Sequence, residues 1–264
     1  MDHRIRADAL VRATLSLRDA GLRAQYLANA ARTWPTDALA RALDALCERA
    51  EQAESAAREA LVAVVEALNG EGMESIVAAL REQAESESLL ALERLVRHPS
   101  RGLRSSSPPP PVDSVPIRND SPRPAGRILT LGERKWLARR PDRETMQRLL
   151  QDPHPDVIRR CLVNPRLTED DVVRFAARRP GREDLLAEVA RSGWVRCPRV
   201  RLSLVLNPAT PTEIAMRIAG LLMKPELELV AQSPAVNASI RAVCLEHLKR
   251  RPPVGSSFQS EKVH

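Results

Sequence analysis

Between residues 36 and 70, apolar residues recur at Leu39, Leu43, Leu46, Ala50, Ala53, Ala57, Ala60, Val64 and Ala67. The gaps alternate between four and three, which places all of them on one stripe of a helix, a heptad seam. Thr36 follows Pro35 and is placed to cap the start; Asn69-Gly70 is placed to stop the end. Alanine along the middle of the seam permits close backbone approach but buries little area. Leu61, Val65 and Leu68 widen the stripe, which favours packing inside a bundle over a free coiled coil. Shorter periodic stretches predict flanking helices at 6–19, 22–32, 73–84 and 86–97. Residues 1–97 are expected to form an all-α antiparallel bundle, with a homodimer through the 36–68 helix as a further use of the seam.

The periodicity stops at "HPSRGLRSSSPPPPVDSVPIRNDSPRPAG", residues 98–126. Rich in Pro and Ser and poor in large apolar residues, this stretch cannot bury enough surface to offset its ordering entropy. It reads as a disordered or polyproline-like linker. Residues 253–264 read as a disordered tail.

Beyond the linker the chain repeats itself. "PDVIRRCLVNPRLTEDDVVRFA" from Pro155 and "PRVRLSLVLNPATPTEIAMRIA" from Pro198 follow one template without a gap. "WLARRP", "FAARRP" and a degraded "GLLMKP" end successive helices, and each is followed by a short apolar helix and a P-x-V opening. A period of about 43 residues is that of stacked helical units, none able to bury its apolar face alone. Pro165 and Pro208 bias Asn164 and Asn207 out of the helical region, so Asn-Pro is expected to be a helix stop. Thr168, and Thr210 or Thr212 in the second copy, are expected caps for the helix that follows.

These repeats resemble leucine-rich repeat variant units, of the wider α-solenoid group that includes HEAT and armadillo repeats. The resemblance covers roughly residues 127–251. It implies a C-terminal HEAT-like α-solenoid over 127–252 and carries no activity with it. One member of the variant family has a separate iron–sulfur segment with clustered cysteines. Cys47, Cys161, Cys197 and Cys244 are scattered, so no cofactor is carried over.

Charge adds an asymmetry. Residues 1–97 hold 12 arginines against 16 acidic residues, net −4; residues 127–264 hold 25 basic against 16 acidic residues, net +9. A basic half suggests an anionic partner, although arginine in place of lysine is also what a GC-rich genome gives. In stacked units Arg139, Arg140, Arg178, Arg179 and Lys224 fall at equivalent places and would form a cationic ladder. Arg159, Arg160, Arg199 and Arg201 lie on the neighbouring helix. Together these nine are the candidate anion or nucleic-acid contact, in a sequence-tolerant duplex mode.

No phosphate-binding loop, nucleophile elbow or paired-cysteine motif is present. Cys244 and His247, one helical turn apart, are two ligands where a metal site needs three or four; a buried Cys beside a surface His is expected. His154 reads as a turn residue, and Glu169-Asp170-Asp171 as a solvated first turn. No catalytic, cofactor-binding or metal-binding residue is expected. With no signal-like start and no apolar run near the ~20 residues a membrane helix needs, the expectation is a cytoplasmic, non-enzymatic scaffold. It would use a helical-repeat surface to bind a protein partner not identified by sequence. The alternatives are nucleic-acid binding through the arginine edge, or an enzyme whose pocket no sequence pattern reveals.

Overall fold

The computed structural model describes residues 2–98, 129–139 and 141–251, without the side chains of residues 2–4. The linker beyond His98, Arg140 and the tail lie outside the described residues. Every regular element among the described residues is helical, so the chain is all-α. None of these helices is long and apolar enough to cross a membrane.

The N-terminal part holds α1 (Asp2–Ser16), α2 (Ala20–Thr33), α3 (Thr36–Glu51), α4 (Ser55–Leu68), α5 (Glu74–Glu87) and α6 (Leu90–Val96). The expected single 36–68 helix is two helices folded back on each other. Gln52, Ala53 and Glu54 make the turn, with Ala53 at φ 66. The Glu54 N–H donates to the Arg49 carbonyl at 3.2 Å, and the Arg49 guanidinium grips the Glu54 carboxylate at 2.7 and 2.6 Å. An unbroken helix of this length would extend ~50 Å at 1.5 Å per residue and leave its seam uncovered. Folded, α3 and α4 cover each other, and α1 packs on both. Every seam residue is buried except Ala53 at the turn. The seam is thus filled by the chain itself and has no open face left for a second copy.

The repeats form three helix triplets. The first is α7 (Leu131–Leu137), α8 (Arg143–Leu149) and α9 (Pro155–Leu162). The second is α10 (Glu169–Ala177), α11 (Glu183–Arg191) and α12 (Pro198–Leu206), with a 3-10 turn at Gly193–Arg196. The third is α13 (Thr212–Ala219), α14 (Lys224–Gln232) and α15 (Ala238–Arg250). The first helix of each triplet packs on its third, and the third packs on the second helix of the next triplet, α9 on α11 and α12 on α14. Pro155 and Pro198 open their helices at the first turn, where a missing N–H costs nothing. Thr168 caps α10 reciprocally with Asp171. Its second-copy counterparts behave differently: Thr212 begins α13 behind Pro211 without a side-chain cap, and buried Thr210 donates to the Leu204 carbonyl at 2.6 Å. In the third copy α14 already starts at Lys224, and α15 runs on without an Asn-Pro break.

Asn-Pro is more than a stop. Asn207 Nδ2 donates to the carbonyls of Ala176 and Arg178 at 2.7 and 3.0 Å, and its Oδ1 accepts the Ala209 N–H at 3.0 Å. Asn164 repeats this on the Ala138 and Arg139 carbonyls at 3.2 and 3.1 Å, and accepts the Arg166 N–H at 2.9 Å. Each Asn therefore satisfies the open carbonyls at the end of its triplet's first helix while closing its own turn. A side chain on Gly181 would crowd the second clasp, at 3.0 Å from Ala209 Cβ and 3.1 Å from Asn207 Oδ1.

The bundle and the triplets share one continuous apolar cluster. α4 packs on α11 and the 3-10 turn, and α6 packs on α13.

Candidate interaction surfaces

Charged groups of the two halves pair across the junction between them, in both senses. Glu66 on α4 is buried and takes two hydrogen bonds from Arg196, at 2.7 and 2.6 Å. Glu71 pairs with Arg159 at 2.6 Å. Asn69 Oδ1 accepts from Arg217 at 2.6 Å, while its Nδ2 donates to the Ala190 carbonyl at 3.4 Å. In the opposite sense, Arg97 pairs with Glu246 at 2.9 Å, and Arg81 and His98 face Glu213 at 3.6 and 3.0 Å. Two arginines of the basic half, Arg159 and Arg196, therefore find carboxylates in the chain's own N-terminal part.

This changes where the nine candidate cations stand. Arg159 is engaged by Glu188, Glu71 and Asp156. Arg199 pairs with Asp170 at 2.7 Å. Arg178 donates to the Leu150 carbonyl at 3.1 Å and Arg179 to the Leu206 carbonyl at 2.9 Å. Arg201 is buried, only 7% exposed, and donates to the Val195 and Arg196 carbonyls; it is not on an open edge. Among the described residues the side chains of Arg139, Arg160 and Lys224 have no partner, and of these Arg139 and Arg160 are exposed. Arg140 lies outside the described residues. The cations thus do not form a continuous free ladder, because carbonyls at helix ends and acidic residues of neighbouring helices use most of them.

The remaining sequence candidates also find places. His154 caps α9, its Nδ1 accepting the Asp156 N–H at 3.2 Å. Asp171, in the first turn of α10, is buried rather than solvated. Two bonds from Arg143 oppose the cost of burial, and Thr168 assists, holding its carboxyl down to about 2. Cys244 is buried as expected, and burial pushes its thiol up to about 12. His247 is buried too, against the surface expectation, because α15 packs on the bundle there. Its Nδ1 lies 3.6 Å from Glu51, itself paired with Arg94 at 2.7 Å. Burial works against ionisation of Glu51, yet His247 and Arg94 hold its carboxyl below the usual range. Among the described residues no group of three or more His, Cys, Asp or Glu is placed to hold a metal ion.

Two surface features were not legible in the sequence. A cleft of about 260 Å³ opens between the first two triplets, lined by Gln151, Pro153, Phe175, Arg178, Leu185 and Leu186 among others. The second feature is the distribution of exposed large apolar side chains over the triplets. Trp136 and Val163 in the first are 68% and 78% exposed, and Met223, Leu229 and Leu245 in the third are about half exposed. Among the described residues the second triplet has none. Phe175, which the repeat aligns with Trp136, is 6% exposed. Burial of the same position depends on whether a neighbouring triplet is present, which the local sequence does not encode.

Comparisons with protein-family models, curated proteins and solved structures give no match to this chain.

Proposed function

We propose that the protein is a non-enzymatic interaction scaffold that binds a protein partner through the uncovered ends of its helical repeats, a short HEAT-like solenoid. One observation carries this reading. Large apolar side chains stand in solvent on the first and third triplets and not on the second, which has a triplet on either side. Terminal units of stacked-repeat proteins ordinarily turn a polar face outward, so large apolar side chains left in solvent on them are candidates for contact with a partner. The scaffold reading rests on that chemistry, since a helical repeat by itself names no partner.

The test places a photo-crosslinking side chain at position 136, 163 or 245 of the full chain in its native host. A fourth variant carries it at Leu22, an exposed apolar position on the bundle. Discrete protein adducts at the triplet positions and none at Leu22 are expected. Adducts equal at all four positions, or absent from all, would count against a repeat-end scaffold. The alternative, sequence-tolerant contact with nucleic acid, has Arg139 and Arg160 as its free exposed cations. Duplex binding that falls steeply with salt and is lost in the Arg139→Ala/Arg160→Ala variant would favour it instead.

A further inference from the structure

The cleft between the first two triplets joins apolar walls to a cationic rim. Phe175 of α10 and Leu185 and Leu186 of α11 are buried residues that nonetheless line it. Pro153, between α8 and α9, adds a rigid ring from the first triplet. Arg178, directly after α10, lines it too and is exposed. The volume, about 260 Å³, exceeds the about 150 Å³ that encloses a benzene-sized molecule. It lies at the lower edge of the range for drug-sized ligands. Where the second triplet has Phe175 and Arg178, the repeat puts Trp136 and Arg139 in the first and Gly220 and Met223 in the third. A ring, a guanidinium and a preceding triplet to face them come together only at the second.

Charge in the cleft is one-sided. Among the described residues that line it, Asp152 is the only acid. Its side chain is fully buried and already committed, accepting from Arg134 at 2.6 Å and from the His154 N–H at 2.8 Å. Arg182, at the start of α11, is paired with Asp184 at 2.6 Å. Arg178 has no carboxylate among the described residues. Its Nη1 donates to the Leu150 carbonyl at 3.1 Å, and its guanidinium carbon lies 5.6 Å from the centre of the Phe175 ring. These two contacts hold the guanidinium in place and leave most of its five N–H donors unused. A planar fork fixed in this way is pre-organised for a carboxylate.

We infer that this cleft binds a small carboxylic acid with one compact apolar body, an arylalkyl or branched-alkyl acid, either free or as the C-terminal residue of a peptide. The apolar body displaces water from Phe175, Leu185, Leu186 and Pro153. The carboxylate takes the open donors of Arg178, beside apolar walls that strengthen the bond. None of Trp136, Val163, Met223, Leu229 and Leu245, which carry the scaffold reading, lines the cleft, so the two stand or fall separately.

Titration of the isotope-labelled full chain, followed by amide shifts in NMR, tests the site. The probes are phenylpropionate, its neutral amide, acetate and N-acetylphenylalanine. Phenylpropionate is expected to bind with a Kd of about 0.1–3 mM. The amide lacks the charge and acetate lacks the apolar body, and each should bind about tenfold more weakly or worse. Arg178→Gln should weaken phenylpropionate by about tenfold or more. Gln151→Trp, at an exposed lining position, should weaken it similarly by filling the cleft while leaving the core alone. Arg174→Gln, at an exposed arginine of α10 outside the cleft, should bind as the wild type does, which separates the site from general attraction to a basic surface. N-acetylphenylalanine binding more tightly than phenylpropionate assigns the site to a peptide C-terminus; equal or weaker binding assigns it to the free acid. Amide or acetate binding as well as phenylpropionate, an undiminished affinity in Arg178→Gln, or no shifts up to about 20 mM phenylpropionate would overturn the site.

Discussion

Asn207 shows how much one side chain contributes beyond its place in a motif. Its neighbour Pro208 ends α12 by denying a backbone donor, and that part is readable from sequence. The amide adds two hydrogen bonds to buried carbonyls of the same triplet's first helix and closes the local turn. Removing a donor from buried acceptors costs the bond and the desolvation of what is left behind, about 2–3 kcal/mol for this pair. Pro208→Ala relaxes a backbone restriction worth about 1 kcal/mol or less. Asn207→Ala should therefore lower the melting temperature of the full chain clearly more than Pro208→Ala. Equal losses would mean that the clasp contributes nothing. Asn164→Ala should act in the same direction and more weakly, since its longer bonds, at 3.2 and 3.1 Å, replace 2.7 and 3.0 Å.

At the scale of elements, the turn at Ala53 is where periodicity misleads. The four-three spacing runs through the turn in phase, and no Gly or Pro marks it. What breaks the helix is the gain from laying α4 on α3, helped by the Arg49–Glu54 grip. Ala53 pays for this with a left-handed backbone, φ 66, at about 1 kcal/mol for a side chain with a Cβ. Ala53→Gly is predicted to raise the urea midpoint by the equivalent of ~0.5–1 kcal/mol with an unchanged slope. The sign is diagnostic, because glycine in the middle of an unbroken helix would lower stability by a similar amount.

At the scale of the whole molecule, the bundle and the triplets share one apolar core, with ion pairs across their junction. The Glu66–Arg196 contact is two-pronged and Glu66 is buried, unlike the surface pair Arg199–Asp170, which contributes little. A double-mutant cycle of Glu66→Ala and Arg196→Ala on the unfolding free energy should give a coupling of about 1–2 kcal/mol. A coupling near zero would show that the halves are held by apolar contact alone.

Much of this architecture was legible in the residues themselves. Helical periodicity, prolines at first turns, the Thr168 cap and the recurrence of Asn-Pro are local features, and they fix an all-helical chain with repeated units because backbone sterics and capping act over a few residues. The candidate surfaces were not legible, because they depend on what lies opposite. Trp136 and Phe175 occupy the same repeat position, yet only one has a neighbour to cover it. Arg196 looks like free positive charge until α4 brings Glu66 to it, and Arg159 until Glu188 of α11 and Glu71, just beyond α4, are placed beside it. Short-range chemistry determined the elements; long-range packing decided which charges and apolar faces the finished molecule still presents.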